Sequence, residues 1–368
     1  MTRKKLNVGI FTDTYFPQVN GVTFTIAEWK KRLSKYHNIF IYYPKSEYLP
    51  QQNEYPFPSL EFRFYRGYHI AFPKDISEKS KDLDLVHIHG LFTMAMAGLY
   101  VSRKFKLPKI LSYHTPADEY IDYITRKEPL KKMFIKMYNF WERKLLNSCN
   151  LVTAPSQSIK ERLLQKGIKK VIVLSNGIDT DFFKPVNASK FREKHGIDED
   201  EKVIGFCGRF GYEKHLEDLI GIADKFNGTI LIAGKGPAEE YYKSLARNKK
   251  NVKFLGFLSR EELLEFYSSL DLFVFPSLAE TQGLVALEAM ACGVPVIGAN
   301  ALALKDTIKH GVTGYLYQHG NLRDLLNKIK LGYKNREKLR ENCLEYVKEH
   351  SIDKTINKLL EIYEDITS

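Results

Sequence analysis

Residues 271–299 read DLFVFPSLAETQGLVALEAMACGVPVIGA, and the stretch changes character twice. DLFVFP is a short run rich in aromatic and apolar residues, the composition of a buried strand. After Gly283 the residues predict a helix, which must end near Gly293 because Pro295 cannot continue it. PVIGA then reads as another strand. A strand, a buried helix and a second strand in succession predict an α/β protein with parallel sheets. Two acids interrupt the apolar pattern, Glu280 in the loop before the helix and Glu288 within it. A carboxylate beside a buried helix is costly unless something pairs with it.

The alternation continues on both sides. In the first half the candidate strands are LNVGIF (6–11), NIFIYY (38–43), LVHIH (85–89), KILSY (109–113) and LVTAP (151–155), and KVIVLSNGID (170–179) closes the series. A polar stretch follows. The second half restarts with VIGFCG (203–208) and runs through TILIAG, VKFLGF, DLFVFP and PVIGA. Ser259 with Glu262 forms a capping box ahead of LLEFYSSL, which marks a helix start. A chain of 368 residues exceeds the size at which a single core usually stops growing. The expected organisation is therefore two α/β domains, residues 1–180 and 181–350, and a last amphipathic helix, 351–368, packing back toward the first domain.

Subtracting 44 acidic from 56 basic residues leaves +12, which suits anionic partners: nucleotide phosphates, acidic lipid surfaces or nucleic acid. The 23 Phe and 22 Tyr are dispersed, with no RNP-like string or zinc module, so a nucleic-acid partner is not expected. Cys149, Cys207, Cys292 and Cys343 lie far apart, which argues against a zinc site and a disulfide framework and makes a reducing cytosol the default. The start, MTRKKLNVGIFTD, reads as a first strand and not as a signal peptide. No window approaches the ~20 apolar residues of a membrane span. A cytoplasmic protein is expected, either free or peripheral on the cytoplasmic face of a membrane.

Three loops carry the chemistry. TDTYFPQVNGVTFTIAEWKKRL (12–33) is a strand, a loop ending in Gly21 and a helix. Such a loop sits at the carboxyl edge of a sheet, and Gly21 leaves a helix N-terminus open to a phosphate or sugar; an ordinary turn glycine is the equal alternative. GxGxxG is absent, so a nicotinamide cofactor loses its main support. In GFCGRFGYEKHLEDLI (205–220), Gly208 and Gly211 keep the loop slim while Arg209 and Lys214 bring two cations to the following helix, a diphosphate cradle. A solvated basic pair is the alternative. GKGP (234–237) ends the next strand in the same way, with Gly234 and Lys235 at its edge. Around the third loop, the amides of Gln282, Gly283 and Leu284 would head a helix and suit an anion or sugar oxygens. Glu288 offers two oxygens to the adjacent hydroxyls of a ribose; the alternative is a glutamate satisfied by a neighbouring helix or by water. His87 and His89 would face one side of their strand, but no further metal ligands are evident nearby. DLD (82–84) matches a metal-binding DxD only formally.

The two glutamates with seven residues between them, GLVALEAMACGVPVIG around them, GRFGYEKH, SNGID and PQVNGV together resemble the retaining glycosyltransferases of family 4, in the family's order and over nearly the whole chain. The resemblance implies the GT-B fold: two Rossmann-like parallel-sheet domains facing a cleft, with C-terminal helices packing back across them. It implies a nucleotide-sugar donor held mainly by the C-terminal domain, with no cofactor and no metal required. By motif position Arg209 and Lys214 bind the diphosphate, Glu288 the ribose, and Glu280 with the amides after it the donor sugar. His114, in SYHTP, matches the histidine near the reacting sugar, and these positions make His114, Arg209, Lys214 and Glu280 the catalytic candidates. Gly21 matches a loop that in many relatives carries two adjacent glycines; here Asn20 precedes a single one. A nucleotide-sugar epimerase shares the fold, and a non-catalytic sugar-nucleotide binder would lack His114 or Glu280.

The acceptor belongs to the N-terminal domain. TRKEPLKKMFIKMYNFWERKLL (125–146) places Leu130, Met133, Phe134, Met137 and Trp141 at helical spacing, with Lys131, Lys132, Lys136 and Arg143 on other faces. This suits a helix lying on an anionic membrane. Base rates favour the other reading, a stripe packed into its own domain. FTDTYFPQVNGV and ETQGL resemble the diacylglycerol glucosyltransferase subgroup and tilt the balance toward lipid. That resemblance implies UDP-glucose as donor and a glycerolipid hydroxyl as acceptor. The alternatives are a GDP-mannose-dependent mannosyltransferase, or a UDP-sugar transferase acting on a polysaccharide, a phosphoinositide or a small soluble acceptor.

Overall fold

The apolar runs of the first half become one sheet. Its strands are β1 (Asn7–Thr12), β2 (Asn38–Pro44), β3 (Glu54–Phe57), then after the short antiparallel pair β4 (Ser59–Glu61) and β5 (His69–Ala71), β6 (Leu85–His89), β7 (Lys109–Ser112), β8 (Leu151–Ala154) and β9 (Val171–Val173). They lie parallel in the order β3-β2-β1-β6-β7-β8-β9. The second half repeats the plan with β10 (Val203–Cys207), β11 (Thr229–Ala233), β12 (Val252–Gly256), β13 (Leu272–Phe275), β14 (Val296–Ala299) and β15 (Gly314–Tyr317), ordered β12-β11-β10-β13-β14-β15. Its strands are also parallel, so each needs a crossover to the next, and the helices supply it. Every residue of β10, β11, β13 and β14 is buried, as a sheet covered on both faces requires.

This computed structural model describes residues 4–18, 20–61, 68–115 and 128–368. Arg126 and Lys127 of the basic segment lie outside the described residues. The chain divides into two units, Met1–Ser175 with Thr355–Ser368, and Asn176–Lys354. The helix Arg336–Val347 stays in the second unit, where Leu339, Cys343 and Val347 join its core. Past Lys354 the helix Ile352–Thr367 belongs to the first unit: Thr355 Oγ1 donates to the Ser175 carbonyl at 3.1 Å, and Tyr363 Oη lies 2.7 Å from His87 Nδ1.

Both sheets reverse direction at one place. The chain winds outward from β1 through β2 to β3 and then returns to the other side of β1 with β6; β10 and β13 stand in the same relation. Outside the carboxyl ends of such a strand pair the connecting loops part, and an open α/β sheet takes its ligands there. The three loops singled out from the sequence follow β1, β10 and β13, and GKGP follows β11.

Candidate functional site

In the second unit the reversal lies between β10 and β13, and the loops after them are stitched together. Glu213, in the one-turn helix Tyr212–Lys214, offers its carbonyl to Leu278 N at 3.2 Å and to Ser277 Oγ at 3.3 Å. Lys214 Nζ lies 2.5 Å from Glu280 Oε1, and each side chain is 15% exposed. Arg209 reaches the carboxylate of Glu213 at 3.5 Å. Two cations and two acids thus share one rim, a charged edge only partly exposed. The neighbouring GKGP loop backs it: Phe210 N donates to Lys235 O at 2.9 Å, and a Cβ on Gly234 would lie 1.9 Å from the Gly208 carbonyl oxygen. Only glycine permits that approach, so Gly234 shapes the cradle through packing.

Gly283 starts the next helix, Leu284–Ala291, from the left-handed region at φ 81°, and an added Cβ there would meet Leu304 Cδ2 at 2.9 Å. The first helical bond runs from Ala286 N to Gly283 O at 2.9 Å, so the Leu284 and Val285 amides head the helix. Gln282 is buried and faces inward, its Oε1 accepting from Asn176 N at 3.0 Å. Half-buried Glu288 accepts from Tyr267 Oη at 2.8 Å through Oε2. Desolvation raises the pKa of Glu288, while the Tyr267 hydroxyl and the charge of Arg260 pull it back. A neighbouring helix, Arg260–Ser269, therefore meets one of its oxygens, as the plainer of the two sequence readings allows.

The first unit has a different edge. A cavity of about 100 Å³ is lined by Asp13, Thr14, Val22, His89, Leu91 and His114 among others. Asp13 sits at the end of β1 and accepts the amides of Phe92 (2.9 Å) and Met94 (2.8 Å), capping the helix Thr93–Phe105. Burial pushes its pKa up to about 6. At the ends of β6 and β7, His89 Nδ1 lies 2.8 Å from His114 Nε2. Burial takes His114 down to about 4, so it is neutral near pH 7. Asn20 caps the helix Gly21–Leu33 by accepting from Thr23 N at 3.0 Å, and it donates to Thr14 Oγ1 at 2.8 Å; Gly21 is exposed at the helix start.

The helix Glu128–Asn147 turns its apolar stripe outward. Leu130, Met133, Phe134, Met137 and Phe140 are 37–59% exposed, and Lys132 and Lys136 are exposed beside them. The base-rate expectation of an inward stripe fails for this half of the helix. The last turns hold the anchor: Trp141 Nε1 donates to Leu91 O at 2.8 Å, and buried Glu142 accepts from Tyr113 Oη at 2.9 Å and Lys166 Nζ at 2.7 Å. Trp141, grouped from the sequence with a membrane-facing set, instead fixes the helix to the cavity wall.

A family model described as glycosyltransferase family 4 matches residues 19–182, and one described as glycosyl transferases group 1 matches residues 187–350. The α-monoglucosyldiacylglycerol synthase of Streptococcus pneumoniae is 31% identical over 337 residues, 85% of this chain and 75% of its own. The chain belongs to glycosyltransferase family 4. Over 99% of the glycosyltransferase and 90% of its own length, a GDP-mannose-dependent α-mannosyltransferase of Corynebacterium glutamicum is 25% identical. Among solved structures, that of Anabaena HepE in complex with UDP and glucose covers 98% of the glycosyltransferase and 100% of that chain, with a TM-score of 0.81 at 19% identity. This likeness concerns the fold, which is GT-B.

The glycosyltransferase thus brings Arg209, Lys214, Glu280, Gly208, Gly234, Gly283, Leu284 and Glu288 to one sheet edge or the helix that leaves it, with Gln282 beneath them. His114 and Gly21 lie at the reversal edge of the other sheet. Tyr267, Asp13 and His89 were not identified as site partners from the sequence. Their partners stand 21, 79 to 81 and 25 residues away, beyond any local pattern. DLD lies at the amino end of β6, where Asp84 accepts from Asn7 N at 2.7 Å, on the edge opposite the site. Among the described residues no helix is long and apolar enough to cross a membrane.

Proposed function

We propose that this glycosyltransferase moves a glucosyl group from UDP-glucose, with retention at the anomeric carbon, to the hydroxyl of a membrane glycerolipid such as diacylglycerol. The observation that carries the donor half is the Lys214–Glu280 pair at the β10/β13 reversal. A diphosphate arriving there takes over the ammonium, and Glu280 is released to accept hydroxyls of the transferred sugar. As the anomeric bond breaks, negative charge grows on the leaving phosphate, where Lys214, Arg209 and the dipole of the Leu284–Ala291 helix stabilise it without recourse to a metal ion. Glu288 takes the ribose hydroxyls. The leaving phosphate accepts the proton of the attacking hydroxyl, so no side chain serves as general base.

What supports the lipid half is the exposed stripe of the helix Glu128–Asn147 with its lysines, a surface suited to acidic headgroups. The name of the Streptococcus pneumoniae relative, a diacylglycerol-glucosylating synthase, points the same way. The protein then works as a peripheral enzyme on the cytoplasmic face of a membrane. Incubating the purified protein with UDP-, GDP- and ADP-sugars and following slow donor hydrolysis tests the donor without knowledge of the acceptor: UDP-glucose should be cleaved. Cleavage of GDP-mannose in its place would establish the second reading, which the length of the Corynebacterium match favours. Flotation with phosphatidylglycerol vesicles tests the surface, and a protein left at the bottom of the gradient points to a soluble acceptor.

A further inference from the structure

Three imidazoles stand in a row at the first-unit cavity, His89 and His114 in its wall and His87 beyond them. His87 has both nitrogens engaged, Nδ1 with Tyr363 Oη at 2.7 Å and Nε2 with Ser112 Oγ at 2.8 Å. His89 and His114 stack at 5.0 Å between centroids with 19° between planes, joined by the 2.8 Å contact of His89 Nδ1 and His114 Nε2. The other nitrogen of His89, Nε2, is buried and has no hydrogen-bond partner among the described residues. We propose that His89 is a positioning residue that fixes the tautomer of His114, donating from Nδ1 to His114 Nε2 and so keeping the His114 proton on Nδ1.

The argument is a count of hydrogens. A neutral imidazole carries one N–H, and a contact between two ring nitrogens holds one hydrogen. If His114 supplied it, the hydrogen of His89 would sit on Nε2 as a buried N–H with no acceptor, the rarest kind of orphan in a folded protein. If His89 supplies it, the orphan is a lone pair, and unsatisfied acceptors are the commoner compromise. Burial lowers the pKa of both rings, His114 to about 4 and His89 well below its ordinary value, so both are neutral near pH 7. With Nε2 occupied, His114 has a hydrogen to give only at Nδ1. It then meets the oxygen of a sugar or an acceptor as a donor and does not compete for its proton. That consequence rests on the proposed place of His114 beside the reacting sugar; the tautomer itself does not.

The test uses the full-length protein labelled with ¹⁵N at histidine. Long-range ¹H–¹⁵N correlation at pH 7, with His114 assigned by the signals lost in His114→Gln, should show a protonated Nδ1 and an unprotonated Nε2. His89→Leu should lose this single tautomer, and His89→Asn, whose carboxamide donates from nearly the same place, should restore it. UDP-glucose hydrolysis read in parallel should lose kcat in His89→Leu with KM unchanged and regain it in His89→Asn. A His114 proton on Nε2 in the unaltered protein, or an unchanged spectrum in His89→Leu, overturns the inference. If His89→Leu does not fold, the spectra of the unaltered protein and of His89→Asn still decide. A protein with the Nδ1 tautomer that cleaves no UDP-glucose would leave the inference standing and remove the proposed donor instead.

Discussion

Replacing Lys214 with alanine separates two effects that the structure places on one side chain. The ammonium lies 2.5 Å from Glu280, and both side chains are 15% exposed. Its loss strands a mostly buried carboxylate, which costs about 1–2 kcal/mol of stability once the remaining contact with water is allowed for. In the proposed reaction the same ammonium faces the charge that grows on the diphosphate. Losing one such partner lowers turnover by ~10²–10³, or ~2.7–4 kcal/mol of barrier. Adding Glu280→Gln to Lys214→Ala removes the stranded charge. Urea denaturation midpoints should therefore recover in the double variant while turnover of UDP-glucose stays low. Turnover of Lys214→Ala within tenfold of the unaltered enzyme would refute the assignment. So would recovery of turnover in the double variant, because the lysine would then do no more than neutralise Glu280.

Glu288→Gln keeps an acceptor for the Tyr267 hydroxyl and should weaken donor binding with little change in stability, whereas Glu288→Ala orphans that buried hydroxyl and costs a further ~1–3 kcal/mol; equal donor affinity in Glu288→Gln would remove the ribose role. The pH dependence of folding should carry two opposed contributions. Asp13, raised to about 6, contributes stability that is present below its unfolded value of 3.8 and lost as pH rises through 6. His87, lowered to about 3, and His114, lowered to about 4, contribute stability that is present above 6.5 and lost as pH falls. Between pH 7 and 4 Asp13→Asn should thus lose about 2–3 kcal/mol more than the unaltered protein; parallel urea midpoints across that range would show that Asp13 does not titrate as described. Changing Lys131, Lys132 and Lys136 together to glutamine removes about 1 kcal/mol per lysine, so partition onto phosphatidylglycerol vesicles should fall ~10²-fold while donor hydrolysis persists, and unchanged flotation would move the membrane contact elsewhere.

The fold was legible where strands are buried on both faces. LVHIH, TILIA and LFVF leave no surface for polar residues, and their continuous apolar runs declare them. Two of the strands that escaped notice have physical causes. β3, EYPF, is an edge strand whose proline is tolerable only because one side needs no ladder partner. β15, GYLY, is a short strand at the other sheet's edge. The site was legible as a set of loops and not as a set of contacts. GRFGYEKH and ETQGL each announce a turn with charged residues, but that Lys214 pairs with Glu280 across 66 positions follows only once β10 and β13 are neighbours. The same holds for His89 and His114, which meet because β6 and β7 pair.

The repeated strand order also separates two kinds of chemistry. One topology, used twice, produces two open strand-end edges, yet their side chains differ in kind. At the β10/β13 edge the groups are ions: Lys214 with Glu280, and Arg209 with Glu213. Such a rim suits a ligand whose charge increases during reaction, because its cations are already oriented and need no reorganisation. At the β1/β6 edge the imidazoles are buried and neutral, and Asp13 has both oxygens committed to backbone amides. An anionic acceptor would find no counter-ion in that group, while an uncharged hydroxyl would find hydrogen-bonding partners there. This contrast favours a neutral alcohol over a phosphorylated or carboxylated acceptor. The glycerol hydroxyl of the proposed lipid acceptor meets that condition, and in that reading the outward-facing helix, tied through Trp141 to Leu91 in the cavity wall, brings the membrane to the same unit.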